Sequence, residues 1–271
     1  MIPDAVGTRQ TRILPIPGYS KNNGKRGIFV IQKIQRLIKE SKRIICITGQ
    51  EAMVECGGID LWNPDNLYRI EKTYGKSPEE MLSAGELTTR KAYFYDFYKN
   101  EVLKVLPKPG PAYEAMKKLQ KAGKLLGVVS FNIFGLEELA GLSPVWELSG
   151  SVYDNFCPVC KKKYTVDFVK QSKGVPLCDE CKASVRPNIR LHSEKVRNDL
   201  YTQATSACQK ADMILVLGTD LSGSKMRYCT GHYDGDKLVV IHKDQHFSDK
   251  FADYVIYANP GEVLPQLVEK L

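Results

Sequence analysis

Four cysteines in two C-x-x-C pairs are the residues of this chain whose spacing speaks most directly of chemistry. Cys157 and Cys160 form one pair and Cys178 and Cys181 the other, with 17 residues between the pairs. Two short loops that each supply two thiolates can close a tetrahedron around Zn2+, and this spacer lies inside the range of zinc ribbons. Four sulfur ligands leave no open position for water, so the metal would be structural. It would fold a segment of about 40 residues that is too small to hold a core of its own. The other four of the eight cysteines, Cys46, Cys56, Cys208 and Cys229, stand alone, and no reactivity is assigned to them.

Other polar and glycine residues gather just after short apolar runs, so the elements that carry them decide what they can reach. Val30, Ile34, Leu37 and Ile38 fall on one face of a helix over 28–41, and RIICIT (43–48) reads as a buried strand. Ser77-Pro78-Glu79-Glu80 is a helix start, with serine as cap, proline at the first position and glutamate three after the cap. The helical pattern continues through Met81, Leu82, Leu87, Tyr93, Phe94, Phe97 and Tyr98, read as core residues. Three prolines precede a helix over 112–122, KLLGVVS (124–130) is the next strand, and LEELAG the next helix. ADMILVLGT (211–219), KLVVIH (237–242) and DYVIYA (253–258) are further strands. Strands that are apolar throughout and alternate with helices predict a parallel α/β sheet covered on both faces, whose ligands sit beyond the carboxyl ends of the strands.

Read at those strand ends, the chain resembles the sirtuins, the NAD-dependent protein deacylases. Ile47-Thr48-Gly49, with Gly57 and Asp60 following, is similar to the family's first phosphate loop. Ser130-Phe131-Asn132-Ile133-Phe134-Gly135-Leu136, ending in Ala140-Gly141, is similar to its T-Q-N-I-D-G-L…A-G stretch. Glu147-Leu148-Ser149-Gly150-Ser151 precedes the first cysteine pair as E-L-H-G-S does, and Arg186-Pro187-Asn188 follows the second pair as R-P-D/N does. Leu217-Gly218-Thr219-Asp220-Leu221 matches G-T-S-L, and Ile241-His242 stands where I-N is usual. The resemblance implies an open parallel sheet of Rossmann type with helices on both faces, a small inserted zinc ribbon and a helical lobe. The corresponding division is an N-terminal arm over 1–27, a Rossmann-type domain over 28–151 and 191–271 with the lobe at about 60–105, and a zinc-ribbon insert over 152–190.

The resemblance also implies a cofactor, NAD, held by Gly49, Glu51, Gly57, Asp60, Phe131, Gly218, Thr219, Asp220 and His242, and a catalytic group comprising Ser149, Asn132 and His192. Several of these depart from the family's pattern. Ser149 stands where a histidine would deprotonate a ribose hydroxyl, and a hydroxyl does not hold a proton reversibly near pH 7. Phe131 and Phe134 replace a glutamine and a ribose-orienting aspartate. Glu51 and Asp220 would bring carboxylates towards a pyrophosphate, and Trp62 replaces an arginine. The expectation is therefore a sirtuin-like protein with structural zinc and a remodelled nucleotide cleft. Such a protein would not be an ordinary deacetylase, and it would take a different ligand, one with positive charge or hydrogen-bond donors facing Glu51 and Asp220. The alternative is a divergent NAD-dependent deacylase or ADP-ribosyl-type transferase in which His192 is a displaced base. In either case a small molecule or an acylated peptide would lie between the sheet domain and the zinc module.

Composition narrows the rest. A net charge of +8 with its densest run at Lys161-Lys162-Lys163 lacks the aromatic interleaving of a nucleic-acid surface. No apolar run is long enough for a membrane span, and the polar start, with a small apolar patch at Ile13, Leu14 and Ile16, has no export signal. The expected setting is the reducing cytoplasm, where paired cysteines bind metal rather than each other.

Overall fold

The computed structural model describes residues 24–195 and 197–271; the apolar patch of the expected arm lies outside the described residues. Nine strands run through the described residues: β1 (Ile44–Thr48), β2 (Leu125–Ser130), β3 (Val145–Glu147), β4 (Gly150–Phe156), β5 (Lys163–Tyr164), β6 (Arg186–Ile189), β7 (Met213–Leu217), β8 (Leu238–His242) and β9 (Tyr254–Tyr257). Six form a parallel sheet in the order β3-β2-β1-β7-β8-β9, and three form a small antiparallel sheet in the order β5-β4-β6. β1, β7, β8 and β9 are buried along their whole length, as parallel strands covered on both faces must be.

Alternate residues of these strands feed two separate cores. Ile44, Cys46, Val128, Leu215 and Val239 face one, which the helices Gly24–Glu40, Pro111–Lys121 and Pro260–Leu267 close with Ile34, Ile38, Met116, Leu119 and Val263. Ile45, Ile47, Val129, Ile214 and Val240 face the other, closed by Ala204, Cys208 and Met226 from the helices Asn198–Lys210 and Ser224–Thr230. Each such aliphatic side chain contributes about 1.5–3 kcal/mol by leaving water. No helix among the described residues is long and apolar enough to cross a membrane.

Register turns this packing into a site. Thr48 lies level with Ser130 and Leu217, and Ser130 with Glu147. The segments that follow, beginning at Gly49, Phe131, Leu148 and Gly218, therefore leave the sheet along one edge. Winding runs outward from β1 to β3 on one side and from β7 to β9 on the other, so it reverses between β1 and β7. That reversal is the position where open α/β sheets hold their ligands.

Two features differ from the sequence reading. The helical pattern expected from Ser77 through Tyr98 is broken into Pro78–Met81, Ala84–Thr89 and Lys91–Phe97, followed by a π turn at Tyr98–Val102. Ser77 caps the first piece as expected, but Ser83 starts a second by accepting from the Glu86 N–H at 3.1 Å. The break is held open by His192, whose N–H donates to the Leu82 carbonyl at 2.8 Å and whose carbonyl accepts from Ala84 at 3.2 Å. Periodicity could not reveal an interruption made by a segment over a hundred residues away. β3 and the helix Pro260–Leu267 were also unforeseen, and β3 is the strand that delivers Ser149. Of the aromatic residues read as core, Phe94, Phe97 and Tyr98 are fully buried and Tyr93 is half-buried; Tyr95, not read as core, is also fully buried, and its hydroxyl donates to the Val185 carbonyl next to β6.

Candidate functional site

The sulfurs of Cys157, Cys160, Cys178 and Cys181 all lie within 4.8 Å of one another. Cys157 Sγ is 3.4 Å from Cys181 Sγ, and Cys160 Sγ is 3.5 Å from Cys178 Sγ. Thiolates about 2.3 Å from one zinc ion would stand about 3.8 Å apart at the corners of a tetrahedron, so the cluster fits that ion. Lys161 and Lys182, each directly after a cysteine pair, take the left-handed φ values of 65° and 62° that fold each pair into a tight knuckle. The Tyr164 hydroxyl donates to Cys178 Sγ at 3.0 Å. The Cys181 N–H, with the larger pull, and the Tyr164 hydroxyl hold the Cys178 thiol down to about 6.

At the carboxyl edge of the parallel sheet opens a cavity of about 540 Å3, within the size range of small-molecule sites. Its wall brings together Ser149, Asn132 and His192, the three residues expected to be catalytic, and also Gln50, Trp62, Phe131, Phe134, Arg190 and Lys225. Asn132, 5% exposed, is positioned from below: its Nδ2 stands 3.5 Å from the Tyr113 hydroxyl, and its N–H donates to Ser130 Oγ at 3.2 Å. Beneath it Glu137 is fully buried and accepts from the Thr48 hydroxyl. Burial pushes the Glu137 carboxyl up, against the opposing pull of Thr48, Ser130 and Asn132. Ser149 is half-buried, and its carbonyl accepts from the Arg190 N–H at 2.8 Å. His192 is exposed towards the cavity, with Nδ1 2.9 Å from Glu79 Oε1.

Phe131 lines the cavity, while Gly49, Glu51, Gly57, Asp60, Gly218, Thr219, Asp220 and His242 do not. Glu51 Oε2 accepts from the Lys243 N–H at 2.9 Å, beyond the end of β8. Asp220 is likewise engaged, accepting from the Ser222 N–H at 2.5 Å and facing His246 Nδ1 at 3.7 Å. Burial raises its carboxyl, but Ser222 and the His246 and His242 rings outweigh that and leave it below the usual range. Asp60 is a turn residue, accepting from the Gln50 side chain and from the N–H groups of Trp62 at 2.9 Å and Asn63 at 3.0 Å. His242, expected at a ribose, is 3% exposed with Nε2 facing Asp249 Oδ1 at 3.0 Å, without the alignment of a hydrogen bond. His246 caps the turn Phe247–Phe251.

Gly49 and Gly218 have a packing explanation. A Cβ on Gly49 would lie 2.3 Å from Thr219 Cβ, and one on Gly218, at φ +70°, would lie 2.4 Å from the Ala52 nitrogen. They let the segments after β1 and β7 cross at the winding reversal.

Sequence reading passed over Glu79, Arg190, Lys225, Glu137 and Tyr113. Arg190 and Lys225 carried a signal, being charged residues shortly after Arg186-Pro187-Asn188 and Gly218-Thr219-Asp220. Glu79 was seen only as part of a helix start. A dinucleotide needs room, hydrogen-bonding groups and positive charge, and this wall offers all three through the cavity itself, Asn132 with Gln50, and Arg190 with Lys225.

Comparison with known proteins agrees with the fold and the motifs. The Sir2 family pattern matches residues 52–224. An NAD-dependent protein deacetylase of Clostridium tetani is 33% identical over 241 residues, covering 89% of this chain and 98% of that protein. One of Clostridium perfringens is 32% identical, covering 88% and 98%. Among solved structures, Sir2 with a p53 peptide and NAD+ superposes with a TM-score of 0.76 at 28% identity, covering 89% of this chain and 98% of that one. A Sir2 protein bound to a propionylated peptide superposes with a TM-score of 0.75 at 27% identity, covering 89% and 98%. With its parallel sheet, its four-cysteine cluster and these matches along nearly its whole described length, the chain belongs to the Sir2 family.

Proposed function

We propose that this chain catalyses an NAD-dependent acyl- or ADP-ribosyl-transfer reaction in which the proton acceptor is His192, oriented by Glu79, in place of the serine at 149. The observation that carries the reading is the His192 Nδ1–Glu79 Oε1 distance of 2.9 Å on the wall shared with Ser149 and Asn132. A carboxylate at Nδ1 fixes the tautomer that leaves Nε2 with its lone pair free. NAD, when bound, supplies an ADP-ribosyl group from which nicotinamide leaves. His192 takes up the proton of the attacking hydroxyl or water, and Asn132 orients that group with a carboxamide that the buried Glu137 network holds in place. The cysteine module, folded around zinc, forms the other side of a cleft that takes an acylated peptide or a small molecule. Similarity to Sir2 structures with acetylated or propionylated peptides supports the peptide.

Glu51 and Asp220 accept backbone N–H groups within the protein, which fixes where their carboxylates point and leaves their negative charge in place. The reading of a cleft that takes a different ligand without turnover rests on Phe131, Phe134 and Ser149, which add apolar bulk and remove a base. Calorimetry with NAD and ADP-ribose on zinc-loaded protein, followed by a nicotinamide-release assay, separates the two. Micromolar binding with release supports the transferase reading. Undetectable binding of both nucleotides contradicts it and favours the different ligand.

A further inference from the structure

Arg190 and Lys225 stand on the wall of the main cavity, one just after β6 and the other in the helix Ser224–Thr230 after β7. Among the described residues neither has an ion pair, and the Arg190 Nε is buried without a hydrogen-bond partner. Uncompensated buried donors are rare in folded proteins, and two cations facing one cavity repel each other. The nearby acids are otherwise engaged. Glu79, on the same wall, holds His192, Glu51 holds the Lys243 N–H, and Asp220 holds the Ser222 N–H. Arg190 also borders a second cavity of about 300 Å3 lined by Glu138, Glu147 and Glu194, yet none of these lies within ion-pair distance of it, and Glu194 pairs with Arg186 at 2.6 Å.

We infer that Arg190 and Lys225 form a two-cation subsite that binds an anionic group, phosphate or carboxylate, of the ligand occupying the main cavity. This inverts the charge expected from Glu51 and Asp220: the cleft presents positive charge to its ligand. A guanidinium offers paired N–H donors matched to such an anion, and the ammonium a compact second charge. Burial and the neighbouring Arg190 hold Lys225 down to about 8, as two uncompensated cations near each other would. The inference rests on the proposed function in one respect, that the ligand lies in this cavity, and makes no use of His192.

The anion has two sources, the pyrophosphate of a dinucleotide or a carboxylate that ends an acyl chain. The probes are therefore ADP-ribose, a lysine peptide acylated with a chain ending in carboxylate, and the same peptide with a methyl-ended chain of equal length. Calorimetry on zinc-loaded protein compares the unmodified chain with Lys225→Met and Arg190→Gln. Loss of a charge-assisted contact corresponds to an affinity lower by roughly 10-fold or more. A loss of that size in both variants for an anionic probe, with the methyl-ended peptide unchanged, supports the subsite, and the probe affected names the source. Unchanged affinity for both anionic probes overturns it, as does an equal loss for the methyl-ended peptide. The same titrations on His192→Ala keep the two proposals apart, because the subsite predicts unaltered binding there whether or not the chain turns NAD over.

Discussion

The cysteine module and the cleft respond to sequence change in opposite ways. The module has four ligands, and each is indispensable, because a tetrahedral ion with three thiolates and an open position no longer holds two knuckles together. All four are present at fitting distances. The cleft is layered. Its frame is buried, with Thr48, Ser130 and Glu137 positioning Asn132 from beneath, and Thr48 and Asn132 stand in motifs that the chain shares with sirtuins. Its wall, where Arg190 and Lys225 also stand, departs from them at Phe131, Phe134 and Ser149. A frame residue is fixed by several partners at once, whereas a wall residue answers only to the ligand, so the wall can exchange its chemistry while the fold stays whole.

The sharpest way to break this comparison is to remove the metal. One equivalent of zinc should be found by elemental analysis, and chelation or Cys157→Ser should unfold or aggregate the module, since metal-binding energy in such segments is folding energy. Well-folded protein without metal would contradict the account. Next in size is the frame. Glu137→Ala strands the Thr48 hydroxyl and leaves a buried space, and should lower stability by about 2–4 kcal/mol in denaturant unfolding. Phe131→Leu on the wall should cost less than half as much. An equal loss from both would erase the distinction between frame and wall.

A smaller effect depends on pH. Burial, then the charges of Glu138, Glu137 and Asp154, raise the Glu147 carboxyl to about 7. Its folded-state value lies above the unfolded one, so its contribution is full below about pH 4.5 and is lost as pH rises through about 7. Glu147→Gln should flatten the fall in melting temperature between pH 5 and 8, and an unchanged slope would refute the assignment. The smallest effect belongs to Glu51→Gly, which removes the acceptor of the Lys243 N–H and should cost about 1 kcal/mol. NAD affinity should stay within threefold. A large gain would show that Glu51 does repel the phosphates.

Much of the fold was legible because its signals are local or periodic. The apolar runs became β1, β2, β7, β8 and β9, and Ser77 caps its helix as its spacing says. The four cysteines announced their cluster because metal ligands have strict spacing. What sequence did not show is where side chains turn. Glu51, in the helix Gln50–Val54, and Asp220 sit in stretches resembling a phosphate site, but backbone N–H groups from Lys243 and Ser222 claim their carboxylates. His242 is the last residue of β8, and its ring turns inward to Asp249. The pairing of His192 with Glu79 joins residues 113 positions apart across the break in the helical segment, and no local pattern encodes it.

The central claim is that the proton acceptor stands at 192 instead of 149, and nicotinamide release by His192→Ala tests it most directly. A fall of roughly 10²–10⁴-fold relative to the unmodified chain, the usual loss for a general base, is expected. Zinc content, melting temperature and ADP-ribose affinity should stay unchanged, and Glu79→Gln should show a smaller fall. Release undiminished in His192→Ala, or turnover that appears only when Ser149→His is introduced, would contradict it.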